Sequence, residues 1–371
     1  MQTCGRHSIY RVPLYRGFFV RTFKTLPVVD IAALVKDDKE SAAQLRAAKD
    51  LHAACRDVGF FYAVSHGVPA SITDGVLLEA RQWFNLPAHV KQEISLGPET
   101  CYRGYQQLGS NVTRFDGGFQ RDHHEAIDLY KEESDRDASP LHGRNQWPVQ
   151  RPSFDTSLQQ YADACLGVGQ AIMRGIALGL GLPGDYFESP EGGGTTAESS
   201  YWVMRAIHYP PLSQGEGQLG QAASQAVAGA EVERHVQLSC GEHTDYGLLT
   251  LVNQEPHIPA LQVKNAAGEW ITAAPIPGSF VCNIGDMLKV YTNGLYEPTA
   301  HRVINADPSR SRVSIPFFYE PAFEAQVAPI PALVPAGSAP NFGSVRYGTH
   351  LENKVLNNFE LEPQASSVGE A

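Results

Sequence analysis

The sequence lacks the usual features of membrane, nucleic-acid-binding and disulfide-rich proteins. Its 371 residues contain no uninterrupted apolar stretch of the roughly 20 residues that a transmembrane helix requires. There are 29 Lys and Arg against 40 Asp and Glu, and this net charge of −11 disfavours binding to nucleic acids or anionic membranes. The six cysteines are scattered without a Cys-x-x-Cys pair, at Cys4, Cys55, Cys101, Cys165, Cys240 and Cys282. This pattern predicts the free thiols of an intracellular protein, with neither a disulfide framework nor a zinc cage.

Acidic residues are also absent from the beginning of the chain. Residues 1–25 contain five basic side chains, and the first acid is Asp30. An Arg-rich, acid-free leader is typical of an organelle transit peptide, and a disordered basic extension is the alternative. We therefore expect residues 1–26 to precede the folded region. The expected location is cytoplasmic, or mitochondrial or plastid if the leader is a transit peptide.

The chain changes character at about residue 200. Before that point, apolar residues spaced three to four apart predict helices, over 41–57, 70–95 and 158–182, with one strand at 60–64. Beyond it, short apolar runs between Gly, Pro, Asn and Asp predict the strands of a sandwich or barrel, at 201–209, 247–252, 260–264, 279–284, 301–305 and 312–319. The fold class is therefore a β-rich α+β protein.

This pattern divides the chain into four regions. They are the extension at 1–26, a helical N-terminal region at 27–190, a β-rich core at 200–325 and a C-terminal segment at 326–371 with a helix over 347–358. Residues 213–234 are rich in Gln, Ala, Gly and Ser, which predicts a solvated loop insertion in the core.

Two histidines and one carboxylate can converge on one point. His243 and Asp245 are two residues apart, and in an extended backbone such positions point to the same face. His301 lies 56 positions beyond Asp245, at the start of a predicted strand. Two histidines and one carboxylate on one face of an octahedron are the ligand set of non-haem Fe(II) oxygenases, whose opposite face stays open. We therefore predict an iron site at these three residues.

Arg312 and Ser314 form a second predicted site. A guanidinium and a hydroxyl two residues apart suit a carboxylate ligand. The turn-forming residues 306–309 predict a hairpin between the strands that begin near His301 and Arg312. Its register would place His301 opposite Ser314 and Val303 opposite Arg312, so that both sites line one cavity.

Further motifs occur in a recognisable order. They are Pro27-Val28-Val29-Asp30, Gly59-Phe60-Phe61-Tyr62, Ser65-His66-Gly67-Val68-Pro69, His208-Tyr209-Pro210-Pro211, Leu261-Gln262-Val263, Trp270-Ile271, Pro275-Ile276-Pro277-Gly278, Asn283-Ile284-Gly285-Asp286 and Thr292-Asn293-Gly294. Together with the predicted iron site and Arg312-Val313-Ser314, they resemble the Fe(II)/2-oxoglutarate-dependent dioxygenases of the isopenicillin N synthase-like family. The resemblance covers most of residues 27–360. Ile207 stands where plant members usually have Asn, so the sequence around His208-Tyr209-Pro210 most resembles that of thymine 7-hydroxylase-like members.

The resemblance implies a fold and a reaction. The core would be a double-stranded β-helix, or jelly roll, with the helical region packed against it. Fe(II) and O₂ would act with 2-oxoglutarate, which is converted to succinate and CO₂ while a small organic molecule is hydroxylated or desaturated; ascorbate is a candidate reductant. The distal carboxylate of 2-oxoglutarate would bind Arg312 and Ser314 with help from Tyr209, and Asn283 would border the iron. The candidate substrate-binding residues are Phe318, Tyr102, Arg103, Tyr105 and Glu125.

Three alternatives remain open on the sequence. An oxidase like isopenicillin N synthase would use the Arg-x-Ser pair to bind the substrate and would not use 2-oxoglutarate. A jelly-roll binding protein without chemistry and a zinc hydrolase are the others. We expect a small-molecule substrate, no nucleic-acid or membrane partner, and a monomer. The sequence does not identify the substrate, and it does not separate hydroxylation from desaturation or ring closure.

Overall fold

The computed structural model describes residues 22–36, 41–115, 118–211, 238–304, 307 and 309–359. The first 21 residues of the predicted extension and the whole predicted insertion at 213–234 lie outside these ranges. Among the helices described, none combines the length and the apolar character needed to cross a membrane.

The described helices surround a β-rich core. They are α1 (Ala32–Val35), α2 (Ala42–Asp57), α3 (Ala70–Phe84), α4 (Ala88–Gln92), α5 (Pro152–Gly179), α6 (Asp286–Tyr291) and α7 (Tyr347–Phe359). Ser41 caps α2, because its hydroxyl accepts a hydrogen bond from the Gln44 amide at 3.0 Å. The helix predicted over 70–95 is two helices, and Pro87 precedes the second because proline is tolerated only at a helix start.

The strands form two main sheets. The first half of the chain gives β1 (Val28–Asp30), β2 (Phe60–Val64), β3 (Gly104–Gln106), β4 (Val112–Phe115), β5 (Gly118–Arg121) and β6 (Glu125–Tyr130). The second half gives β7 (Val203–Tyr209), β8 (Leu238–His243), β9 (Leu249–Gln254), β10 (Leu261–Lys264), β11 (Trp270–Thr272), β12 (Phe280–Ile284), β13 (His301–Ile304), β14 (Arg312–Tyr319), β15 (Gln326–Val327) and β16 (Val345–Arg346). The large sheet has the order β1-β2-β12-β9-β14-β7-β6-β3, and the small sheet has the order β11-β10-β13-β8.

The fold is the predicted jelly roll with helices packed outside it, and the large sheet separates two apolar cores. Side chains of both sheets meet in an inner core, which includes Phe60, Tyr62, Ala126, Ile207, Val263, Val281 and Val303. The opposite face of the large sheet packs against the helices in an outer core, which includes Phe61, Leu129, Leu251, Ile315 and Phe317. Because successive strand residues alternate between the two faces, one strand contributes to both cores.

The N-terminal half is not purely helical. Strands β1, β2, β3 and β6 belong to the same large sheet as the strands of the C-terminal core. The sequence pattern predicts β2 but not the strands between residues 104 and 130. These strands are short, and β6 is buried along its whole length, so the polar alternation that marks a half-exposed strand is missing.

The hairpin predicted between the strands now seen as β13 and β14 is wrong. His301 pairs with His243 of β8 in the small sheet and does not face Ser314. Arg312 pairs with β7 in the large sheet and does not face Val303. Consecutive strands of a jelly roll alternate between facing sheets, so the chain changes sheet between β13 and β14. The two predicted sites still face one interior, from opposite walls.

Helix α5 supports the large sheet from outside. Its residues Leu158, Tyr161, Cys165, Ile172 and Ile176 recur at helical spacing, and all are fully buried. The Tyr161 hydroxyl donates a hydrogen bond to the backbone oxygen of Ile315 in β14, at 3.0 Å. The helix thereby fixes the outer face of the strand whose inner face carries Arg312.

Close packing between α5 and β14 gives a stability prediction. A Cβ at Gly169 would lie 2.4 Å from a ring carbon of Tyr319, whereas a Cβ at Gly167 would meet nothing within 4 Å. We expect Gly169→Ala to lower the free energy of unfolding by about 1–3 kcal/mol through overpacking. Gly167→Ala is the matched control and should raise it by about 0.5–1 kcal/mol through helix propensity. Urea unfolding of both variants measures this, and a stabilised Gly169→Ala would contradict the packing described.

Candidate active site

The three predicted metal ligands meet between the two sheets. His243 and His301 lie directly opposite each other on β8 and β13, with ring centroids 4.3 Å apart. Oδ1 of Asp245 is 3.7 Å from Nε2 of each histidine. One ligand atom from each residue falls within 4.8 Å of the other two, so all three can bind a single ion.

Backbone carbonyls orient both histidines. Nδ1 of His243 lies 2.7 Å from the Gly241 oxygen, and Nδ1 of His301 lies 3.2 Å from the Thr299 oxygen. A carbonyl accepts only, so each Nδ1 carries the proton and each Nε2 keeps its lone pair for a metal. This arrangement fits a metal site, since histidine ligands usually donate their other N–H to such an acceptor.

Two donors orient the carboxylate of Asp245. Its Oδ2 accepts hydrogen bonds from Asn283 Nδ2 at 2.6 Å and from Thr250 Oγ1 at 2.5 Å, which leaves Oδ1 directed toward the histidines. Burial alone would raise the pKa of Asp245, but the two histidines and these hydrogen bonds lower it, so the group remains an anion. Two imidazole nitrogens and one carboxylate oxygen suit Fe(II). The structure places Asn283, predicted to border the iron, against a ligand of the metal.

A buried cation lies on the facing sheet. Arg312 is 1% exposed, and it donates from Nη2 to Gln254 Oε1 at 2.9 Å and from Nη1 to Ser314 Oγ at 3.3 Å. Its Nε is buried without a hydrogen-bond partner, and no described carboxylate forms a salt bridge with the guanidinium. Burial lowers the pKa of Arg312, and a bound anion would offset this effect.

Tyr209 completes this group. It lies opposite Arg312 across the ladder between β7 and β14, and the guanidinium carbon is 5.0 Å from the centre of its ring. The structure therefore brings Arg312, Ser314 and Tyr209 together. They supply one positive charge and two hydroxyls, and no carboxylate of the described residues binds to them. The donor set fits a carboxylate.

A cavity of about 140 Å³ lies beside the metal ligands and is lined by His243 and Asp245. Its apolar wall includes the predicted substrate residue Phe318, together with Val203, Tyr130, Leu351 and Val355. Leu351 and Val355 come from α7, so the C-terminal helix closes one side. Such a wall keeps bulk water from the reacting atoms.

Three charged residues that were not predicted from the sequence, Asp128, Arg205 and Glu320, also line this cavity. Arg205 Nε donates to Asp128 Oδ1 at 2.7 Å, and its Nη2 donates to Gln106 Oε1 at 2.8 Å. Glu320 is 3% exposed, and its Oε2 accepts a hydrogen bond from the Leu248 amide at 3.2 Å.

Strand alternation is the signal that could have identified two of these residues. Arg205 is four positions before Tyr209 on β7, and Glu320 is eight positions after Arg312 in continuation of β14. Residues an even number of positions apart on a strand point to the same face. The spacing from Tyr209 and Arg312 therefore predicts that both side chains lie on the cavity side.

Glu125 and Tyr105, two of the predicted substrate residues, lie on the other face of the large sheet. Glu125 Oε2 accepts hydrogen bonds from the Tyr105 hydroxyl at 2.5 Å and from Lys91 Nζ at 2.6 Å, and Oε1 lies 2.8 Å from His208 Nδ1. This buried ion pair connects α4 to the sheet, and it does not line the cavity beside the metal ligands.

Arg103 and Tyr102 are also placed away from that cavity. Arg103 is fully buried and donates to the backbone oxygens of Lys131 and Leu141 and to Asn145 Oδ1. Tyr102 is half-buried and packs against the outer core. Of the five predicted substrate residues, the structure brings Phe318 to the triad and leaves the other four outside the cavity wall.

Comparisons with known families agree with this geometry. A family model for the 2OG-Fe(II) oxygenase superfamily, in which 2OG is 2-oxoglutarate, matches residues 202–321. A model for the N-terminal region of a non-haem dioxygenase in morphine synthesis matches residues 26–150. The first covers the strands that carry the triad and Arg312.

Individual relatives are similar over nearly their whole length. The chain is 43% identical to a homoarginine-6-hydroxylase of Oryza sativa subsp. japonica, over 91% of this chain and 99% of the relative. It is also 43% identical to a homoarginine-6-hydroxylase of Glycine max, over 91% of this chain and 98% of the relative. These relatives are plant proteins, although Ile207 pointed away from the plant hormone and flavonoid members.

Solved structures share the fold. The structure of Neurospora crassa T7H in complex with alpha-KG has a TM-score of 0.73 and 24% identity, over 91% of this chain and 99% of that chain. JOX2 in complex with 2OG, Fe and JA has a TM-score of 0.69 and 26% identity, over 90% of this chain and 85% of that chain. The likeness to T7H shows the fold alone.

The hydrogen bonds to Asp245 give a prediction about metal affinity. Asn283→Ala removes one of the two donors that orient the carboxylate, and loss of such a contact typically weakens metal binding about 10- to 100-fold. Asn253→Ala is the matched control. This buried amide lies on the face of β9 that is turned away from Asp245, and it donates to the Thr73 oxygen. Anaerobic titration with Fe(II) measures both affinities. Equal affinities in the two variants would show that the Asn283 contact does not orient the ligand.

Proposed function

Because the chain belongs to the 2OG-Fe(II) oxygenase superfamily, we propose that it hydroxylates a guanidino amino acid of the homoarginine type. The observation that carries the proposal is the cavity beside the triad, which buries charged groups of both signs. Homoarginine has a carboxylate and an ammonium group at one end and a guanidinium at the other. The names of the relatives that are 43% identical support the same substrate class.

Each buried site has a task in this reaction. The triad of His243, Asp245 and His301 holds Fe(II), which with 2-oxoglutarate and O₂ supplies the oxidant that replaces a substrate C–H bond by C–OH. In our proposal Arg312 and Ser314 bind the distal carboxylate of 2-oxoglutarate through charge-assisted hydrogen bonds, and the Tyr209 hydroxyl assists. This contact orients the co-substrate from the facing sheet.

The remaining walls hold and shield the substrate. Asp128 balances the charge of Arg205 and fixes its guanidinium in place, and in our proposal Arg205 donates a further N–H group to the substrate carboxylate. Phe318, Leu351 and Val355 exclude water from the aliphatic part of the substrate. A substrate held at both ends presents one C–H bond to the metal side of the cavity.

Hydroxylation at the sixth carbon has a chemical signature. That carbon carries the guanidino nitrogen, so the product is a hemiaminal. The hydroxyl loses its proton as the C=O bond forms, the C–N bond breaks, and the guanidino nitrogen takes up a proton, so that the products are guanidine and an aldehyde. Detection of free guanidine therefore distinguishes this position from hydroxylation further along the chain.

Binding of 2-oxoglutarate tests the role of Arg312. In an anaerobic titration of Fe(II)-loaded protein, we expect a saturable visible charge-transfer band with the wild type. Arg312→Met should weaken 2-oxoglutarate binding by about 10- to 100-fold, because two charge-assisted hydrogen bonds are lost. Arg302→Met is the control, since Arg302 stacks 3.9 Å above the Trp270 ring in the small sheet. A band that is unchanged in Arg312→Met would show that Arg312 does not bind 2-oxoglutarate. Absence of the band from the iron-loaded wild type would favour the oxidase-like alternative, in which Arg312 holds the substrate.

Turnover tests the substrate class. With Fe(II), 2-oxoglutarate, O₂ and ascorbate, we expect succinate release to rise on addition of homoarginine and guanidine to appear in equal amount. Lysine has the same ammonium and carboxylate but no guanidinium, and should stimulate succinate release far less. If 2-oxoglutarate binds but no guanidino amino acid stimulates succinate release, the proposed substrate class is wrong.

A further inference from the structure

We infer that Glu320 binds the cationic end of the substrate and determines the preference for a guanidinium over a neutral group. The inference rests on the proposed function and deepens it, because neither the sequence pattern nor the names of the relatives assign a role to this residue. Its basis is the placement of one buried carboxylate beside the metal ligands.

The carboxylate of Glu320 is enclosed but has no cation to balance it. The residue is 3% exposed, and no Lys, Arg or His within the described ranges forms a salt bridge with it. Its Oε2 accepts one hydrogen bond, from the Leu248 amide, and the Tyr347 side chain is a further polar neighbour. A buried carboxylate without a cation is costly unless a ligand supplies the charge.

The other acids of the cavity are already engaged. Asp128 pairs with Arg205, and Asp245 is a ligand of the metal. Glu320 is therefore the described acid of this cavity that has neither a basic partner nor a metal, and it is available to pair with a cationic substrate. It mirrors Arg312, the buried cation at the other end of the same strand that lacks an anion.

The local backbone makes room for this carboxylate. A Cβ at Gly247 would lie 1.4 Å from Glu320 Oε2, so the absence of a side chain at 247 leaves the space that the carboxylate occupies. The Ser200 hydroxyl donates to the Glu320 backbone oxygen at 2.7 Å and holds the end of the strand in place. The side chain thus projects from a fixed backbone into the cavity wall.

The position of Glu320 agrees with the expected site of oxidation. Gly247 is two residues beyond the ligand Asp245, so the carboxylate that packs on Gly247 lies on the metal side of the cavity. A guanidinium bound there through paired N–H···O contacts would place the adjacent carbon toward the metal. Burial, with Asp245 and Asp286 nearby, raises the pKa of Glu320 well above its usual value, and a bound cation would act in the opposite direction.

A purely structural role is the competing explanation. Glu320 also connects the end of β14 to the turn at Leu248, and loss of that hydrogen bond alone would affect folding. Glu320→Gln separates the two roles, because the amide oxygen can still accept from Leu248 while the negative charge is removed. Glu125→Gln is the matched control, because it removes another buried carboxylate, from the other face of the sheet.

The experiment compares homoarginine with homocitrulline, its neutral analogue in which an oxygen replaces one guanidinium nitrogen. Both are titrated anaerobically into the Fe(II)- and 2-oxoglutarate-loaded wild type and both variants, and kcat/KM is then measured with O₂. We expect the wild type to prefer homoarginine and Glu320→Gln to lose about 10- to 100-fold of that preference, the value of a charge-assisted contact. Glu125→Gln should keep the wild-type ratio even if it is less stable.

The outcomes separate this inference from the proposed function. If the wild type binds and converts homoarginine and Glu320→Gln keeps the full preference, Glu320 is structural and the inference is overturned, while the proposed function stands. If the wild type binds neither compound although 2-oxoglutarate binds, both fail. An equal loss of preference in both variants would also overturn the inference, because the effect would then follow the loss of any buried carboxylate.

Discussion

Strand β14 is paired on both edges, with β9 on one side and β7 on the other, and this double pairing decides which of its side chains face the interior. Arg312, Ser314 and Phe318 point inward together because strand residues alternate with a period of two. A slip of one residue would turn all three toward the helices. The pairing on both edges disfavours that slip, so the part of the site that faces the metal ligands depends on the register of one strand.

The same strand also supports the fold from its other face. Ile315, Phe317 and Tyr319 belong to the outer core, and α5 packs on them. The two cores therefore share one layer of backbone, so we expect a substitution in the contact between α5 and β14 to affect the inward-facing side chains as well. Stability and site geometry are coupled through β14, because a close-packed interior does not deform freely.

The sequence was sufficient for the parts of the site that local spacing encodes. His243 and Asp245 share a face because they are two residues apart, Arg312 and Ser314 do the same, and the motifs that resemble the dioxygenase family predict the fold.

The predicted hairpin was wrong because a turn signal shows that a strand ends, and does not show which sheet the next strand joins. The pairing of β14 with β7 spans about a hundred residues, and no local pattern records it. The family resemblance made Tyr105 and Glu125 candidate substrate residues, whereas the alternation of side chains along their strands places both on the helix side of the sheet.

In our proposal, the residue that binds the co-substrate and the residue that binds the substrate lie along one strand, with Arg312 at its beginning and Glu320 eight positions later, past its end. The two recognition tasks share a backbone but no side chains. A substitution at Glu320 can therefore alter which molecule is oxidised, while Arg312 continues to bind 2-oxoglutarate. If both roles hold, a substitution at Glu320 changes the substrate preference and leaves the residues that hold Fe(II) and 2-oxoglutarate in place.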